Sequence, residues 1–110
     1  MLLPFSDNAF VSLNKLTNYL LNINHAEGGS KAAFFNSFGY NHSNVHQFNL
    51  ALLHIAKTEQ VTKTDIIAFG TKYIIDGILQ TLNGRNPLIT TVWIIEYQSN
   101  IPKLVTAYPK

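Results

Sequence analysis

The chain has 110 residues, 46% of them apolar and 13% charged, with a formal charge of +2. That length and composition describe one folding domain with its own core and exclude a disordered chain. The lack of cysteine excludes disulfides and thiolate metal sites, and no apolar run reaches the roughly 18 residues of a membrane span. The mild positive charge is compatible with a nucleic-acid partner without requiring one.

Residues 1–11 read as an irregular lead-in without the basic and apolar regions of a signal peptide, so a cytoplasmic protein is expected. Ser12 is placed to cap a first helix, in which Leu13, Leu16, Tyr19 and Leu20 recur at helical spacing and which ends near Asn22. A polar, glycine-rich segment follows, Asn22-Ile23-Asn24-His25-Ala26-Glu27-Gly28-Gly29-Ser30-Lys31. Ser30 is the expected cap of a short apolar helix through Ser37, and Gly39 suits the left-handed residue that closes it. Ser43 is the expected cap of a third helix, with Val45, Phe48, Leu52 and Ile55 on one face and its end near Lys57.

After Gln60 the apolar period changes. Segments 61–69, 71–82, 88–97 and 103–108 are rich in Ile, Val, Thr and aromatic residues, as strands are. Asn83-Gly84 predicts a two-residue hairpin turn between the second and third strands, and Gly70 and Gly77 predict a turn or bulge. The fold expected is α+β: three N-terminal helices packed on a four-stranded antiparallel β-meander. Phe34, Phe35, Leu52 and Trp93 are the expected core where helices meet sheet.

The His25 segment carries the strongest chemistry. An imidazole serves as acid or base near neutral pH. A Lys early in a helix, here Lys31, helps hold an anion, and Gly28-Gly29 permits close backbone approach to a ligand. The same segment also reads as a plain connector. His42, His46 and His54 read as solvated, because His42 falls outside the third helix and no third ligand is near. Thr91 and Trp93 share one face of the third strand. Thr91 is a candidate phosphate contact or an ordinary strand residue, and Trp93 reads as core. Lys72 offers a charge to a groove or a cross-strand ion pair. The acidic residues form no close pair, so two-carboxylate and two-metal chemistries have no support.

Lys15-Leu16-Thr17-Asn18-Tyr19-Leu20-Leu21-Asn22, His25, Gly28-Gly29-Ser30-Lys31-Ala32, Phe35 and Phe38-Gly39-Tyr40 resemble the start of a small bacterial, often cyanobacterial, domain family of unassigned function. The match continues through Gly70-Thr71-Lys72-Tyr73, Asn83-Gly84, Thr91-Val92-Trp93-Ile94-Ile95 and Leu104-Val105-Thr106-Ala107-Tyr108-Pro109. Close relatives look like C-terminal toxin modules of polymorphic and contact-dependent toxins, similar to the Barnase–EndoU–Colicin–RelE group of metal-independent RNases. The resemblance implies an endoribonuclease of toxin type with no metal or other cofactor. RNA would be its substrate and a small antitoxin or immunity protein its partner. It implies His25, Lys31 and Thr91 as catalytic residues, and Gly29, Lys72, Thr106 and Tyr108 as substrate-binding residues. This chain has Ala26 where relatives commonly carry Pro after the His. The alternative is a non-catalytic module that binds a protein through the same groove; convergence of His25, Lys31, Lys72 and Thr91 on one face favours the enzyme.

Overall fold

The longest helix, Val45–Thr58 (α3), buries Phe48, Ala51, Leu52, Ile55 and Ala56, the single stripe that spacings of three and four place on one face. A computed structural model, which describes residues 1–110, lays that stripe on the second strand of a four-stranded antiparallel sheet. The strands are Val61–Ile67 (β1), Gly70–Ile78 (β2), Leu88–Glu96 (β3) and Lys103–Pro109 (β4). They pair in the order β1-β2-β3-β4, so the expected meander is present. No helix is long and apolar enough to cross a membrane.

The class is α+β, but the helices are not three equivalent elements stacked on the sheet. The first, Leu13–Lys15 (α1), is one turn that widens into a π-helical turn over Leu16–Leu20. The second, Gly29–Ser37 (α2), packs on that π-turn and on β4, while mid-chain α3 covers β2. Ser12 caps α1 as expected, its side chain accepting the Lys15 N–H. Ser30 caps nothing: α2 begins at Gly29, so Ser30 already lies inside it. Ser43 is not the third cap either. Asn41 accepts from Ser43 N–H at 2.8 Å while Asn44 accepts from Asn41 N–H at 2.8 Å, a reciprocal box that starts two residues before the serine.

The core runs between α3 and the inward residues of β2 and β3, with Ile75, Ile89 and Trp93 fully buried. Phe35 and Leu52 are buried with them, whereas Phe34 packs only partly on this core. Gly77 forms no bulge. It pairs in register with Ile89, and a Cβ there would stand 2.9 Å from Ile55 Cγ2, so its missing side chain is what admits α3. The β2–β3 connection is also longer than a two-residue hairpin. Gly84 has the positive φ of 76° expected for it, but the loop spans residues 79–87. Thr81 organises it by hydrogen bonds to Asn83, Arg85 and Asn86.

One irregularity bears on function. Leu104 and Ala107 are both in the core although three residues apart, because a bulge in β4 skips Val105 between Leu104, opposite Trp93, and Thr106, opposite Val92. The bulge faces the edge of the sheet that lies beside α1.

Candidate active site

A cavity of about 650 Å³ opens between α1, the following loop and the bulged edge strand. Lys15, Asn18, Tyr19, His25, Glu27 and Thr106 line it, together with Ser12, Asn14 and Val105. Tyr19 is at its centre. The π-turn that carries Tyr19 shows its widened bonding at Leu21 N–H, which donates to Leu16 O at 2.9 Å; such turns are frequent at functional sites. The Tyr19 hydroxyl lies 3.0 Å from Thr106 Oγ1.

The His25 loop folds back over this tyrosine. A Cβ at Gly28 would meet Tyr19 O at 2.5 Å and Tyr19 Cδ1 at 2.8 Å, so only glycine fits there. The close approach that Gly28 permits is therefore to the chain's own first helix, and that of Gly29 is to Ile23 O in the loop. Gly29 opens α2 and donates its N–H to His25 O at 2.9 Å. The His25 ring stands edge-on to Tyr19, centroids 5.0 Å apart. Its Nδ1 accepts the N–H groups of Glu27 at 3.0 Å and Gly28 at 2.9 Å. That pattern assigns the neutral ring's proton to Nε2, which leaves His25 as a donor.

Two ammonium groups complete the arrangement. Lys15 Nζ lies 5.3 Å and Lys31 Nζ 5.4 Å from the Tyr19 ring centroid. Lys31, in the first turn of α2, also reaches Glu27 O at 3.4 Å. Burial pushes the Tyr19 phenol upward. The hydrogen bond to Thr106 and the neighbouring Lys31 and Lys15 ammonium groups outweigh it and bring the phenol below its ordinary value. The result is a concave site with two ammonium groups, an oriented imidazole donor and a phenol that gives up its proton more readily than usual, an arrangement that can hold an anion.

Of the residues singled out from sequence, His25, Lys31 and Thr106 converge around Tyr19, with Gly29 just behind them. Thr91 is not among them. It is 0% exposed, donates to Ile75 O at 2.8 Å and accepts from Trp93 Nε1 at 2.8 Å, so its hydroxyl serves to satisfy the buried indole. Lys72 is also elsewhere, opposite Asp65 and Ile94 on the sheet face away from the helices. Tyr108 pairs with Thr90, also outside the cavity. Tyr19 and Lys15 are the functional candidates that sequence reasoning passed over. Lys15 precedes Tyr19 by four residues, the spacing that stacks two side chains on one helix face, and that was their one sequence signal. No group of three or more His, Cys, Asp or Glu side chains is placed to hold a metal ion. His42 instead bonds through Nε2 to Thr17 O at 3.0 Å.

Residues 2–110 match the profile of a family described as a domain of unknown function, DUF6883. The chain belongs to this family. No curated protein matches it. Among solved structures, the family member is similar to one chain of a contact-dependent growth inhibition toxin–immunity protein complex from Klebsiella pneumoniae 342. The TM-score is 0.74 over 96% of this chain and 97% of that one, at 13% identity. At that identity the likeness is one of fold.

Proposed function

We propose that this chain is a toxin-type, metal-independent endoribonuclease that holds an RNA phosphate in the Tyr19 cavity. The observation that carries the reading is the clustering of Lys15, His25 and Thr106 around Tyr19 in a concave site, with the Lys31 ammonium 5.4 Å from the same ring. In this reading Lys31 and Lys15 neutralise charge that builds on the phosphate as it becomes pentacoordinate. His25 donates Nε2–H to a phosphate oxygen, and Thr106 positions the phenol. Fold similarity to a chain of a toxin–immunity complex supports the toxin assignment and a small protein partner that neutralises the activity. The site of action is the cytoplasm, where RNA is available.

The test is induction of the wild-type chain in bacteria, with growth and total RNA integrity followed beside a Lys31→Ala control. Growth arrest with RNA fragmentation in the wild type alone is expected. Normal growth and intact RNA at confirmed soluble expression would sink the reading. They would favour a non-catalytic interaction module, which the placement of Lys72 and Thr91 away from His25 and Lys31 suits better.

A further inference from the structure

We propose that Tyr19 is the general base of this site, removing the ribose 2′-hydroxyl proton as its phenolate. The proposal rests on the ribonuclease reading and extends it to the proton transfers.

His25 is the residue that ordinary expectation would make the base. Its Nδ1 lone pair is used inward, accepting two backbone N–H groups, and the remaining nitrogen carries the proton. In this rotamer the neutral ring can donate but has no free lone pair for a 2′-hydroxyl. A base must come from another side chain at the cavity. The titratable and charged groups facing Tyr19 are Lys15 from α1, His25 and Glu27 from the loop and Lys31 from α2; β4 contributes the Thr106 hydroxyl. The two lysines are cations. Glu27 is exposed, and no hydrogen bond or ion pair orients its carboxylate. Tyr19 is held at three points: by Thr106 at its hydroxyl, by Gly28 against its ring and by His25 at its edge. Both ammonium groups favour its anion over its phenol, the direction its titration takes.

The step balances. The Tyr19 oxygen accepts the 2′-hydroxyl proton while the 2′-oxygen forms a bond to phosphorus. The bond from phosphorus to the 5′-oxygen breaks, and that oxygen takes a proton from water. The products are a 2′,3′-cyclic phosphate and a 5′-hydroxyl. Proton loss from the Tyr19 phenol to the hydroxide so formed restores the starting state. The reaction needs a 2′-hydroxyl, so DNA and 2′-deoxy substitution at the scissile nucleotide are inert.

The experiment is single-turnover cleavage of an RNA oligonucleotide by the full chain across a pH series. Tyr19→Phe, Glu27→Gln and Thr106→Val are compared with wild type. Alongside, the phenolate absorbance of wild type minus Tyr19→Phe is titrated without RNA. The wild-type rate should climb with pH and level off below the ordinary tyrosine value of about 10. Tyr19→Phe should be slower by about 10²–10⁴-fold and lose the climb. Thr106→Val should move the levelling point upward, and the difference titration should place Tyr19 at the same point as the kinetics. A Tyr19→Phe enzyme with the wild-type rate and profile would remove Tyr19 as base while leaving the ribonuclease reading intact. Loss of the climb in Glu27→Gln alone would transfer the role to Glu27. Absence of cleavage by folded wild type at every pH would remove the ribonuclease reading and the base with it.

Discussion

Tyr19 and Thr106 are 87 residues apart in sequence, yet their hydroxyls lie 3.0 Å apart, joining the π-turn of the first helix to the bulged edge strand. This contact closes the back of the cavity and holds the phenol that two lysines approach. Thr106→Val keeps the shape and removes the hydroxyl. It should slow RNA cleavage by about tenfold, the effect of losing about 1.4 kcal/mol, a typical hydrogen-bond contribution. Stability should change little, and the check is paired kinetics and denaturant unfolding.

A second hydroxyl contact holds a carboxylate on the sheet. Asp76 accepts from Thr90 Oγ1 at 2.6 Å and pairs with Lys110 Nζ at 2.5 Å, on the sheet face away from the helices. Burial pushes the Asp76 carboxyl upward, but the Lys110 and Thr90 bonds and the Lys110 charge bring it below the usual carboxylate value. A carboxyl lowered by folding contributes stability above its unfolded value and loses it as pH falls through the folded one. Asp76→Asn should therefore cost about 1–2 kcal/mol at neutral pH. The gap from wild type should close in strong acid, as read by urea unfolding at a series of pH values.

Gly77 tests how α3 meets the sheet. A methyl group there would press on Ile55 Cγ2 and Cγ1, which belong to a fully buried side chain with little room to move. Gly77→Ala should destabilise by about 1–3 kcal/mol, the usual range for overpacking. Ile55→Val in the same chain should recover part of the loss, measured as a double-mutant cycle.

Phe35 is the aromatic anchor of α2, fully buried and packed on Phe48 at a centroid distance of 4.8 Å. Phe35→Ala should cost about 3–5 kcal/mol in denaturant unfolding. A loss under about 1 kcal/mol would mean that α2 does not anchor this core.

Much of the fold was legible because periodicity reports burial. The stripe of α3, the four strands, their meander order and the Ser12 cap follow from residue types at fixed spacing. The caps at Ser30 and Ser43 were misplaced because a serine in a helix start competes with neighbours that sequence cannot rank: Gly28 packs against Tyr19, and Asn41 reaches its own turn. Of the candidate site, His25 and Lys31 are legible from one local segment. Thr91 was drawn wrongly into it, although sharing a strand face with Trp93 already placed it beside a core residue. Tyr19 was invisible as chemistry. At helical spacing it reads as one more apolar residue, and what distinguishes it is a bulge at Val105 and a loop crossing Gly28, both products of tertiary packing.

The most direct measurement is single-turnover cleavage of an RNA oligonucleotide in EDTA by wild type, His25→Ala, Lys31→Ala, Lys31→Arg and His54→Ala, with folding checked by circular dichroism. The wild type should cleave without added metal, and Lys31→Ala should fall by about 10²-fold or more. Lys31→Arg should recover part of the charge effect. His25→Ala should slow cleavage by at least about tenfold through loss of the Nε2–H donor and of the loop's tie to Glu27 and Gly28. His54→Ala, on the exposed side of α3, should match wild type. Full wild-type rates in folded Lys31→Ala and His25→Ala, or cleavage that vanishes in EDTA and returns with a divalent ion, would contradict the account.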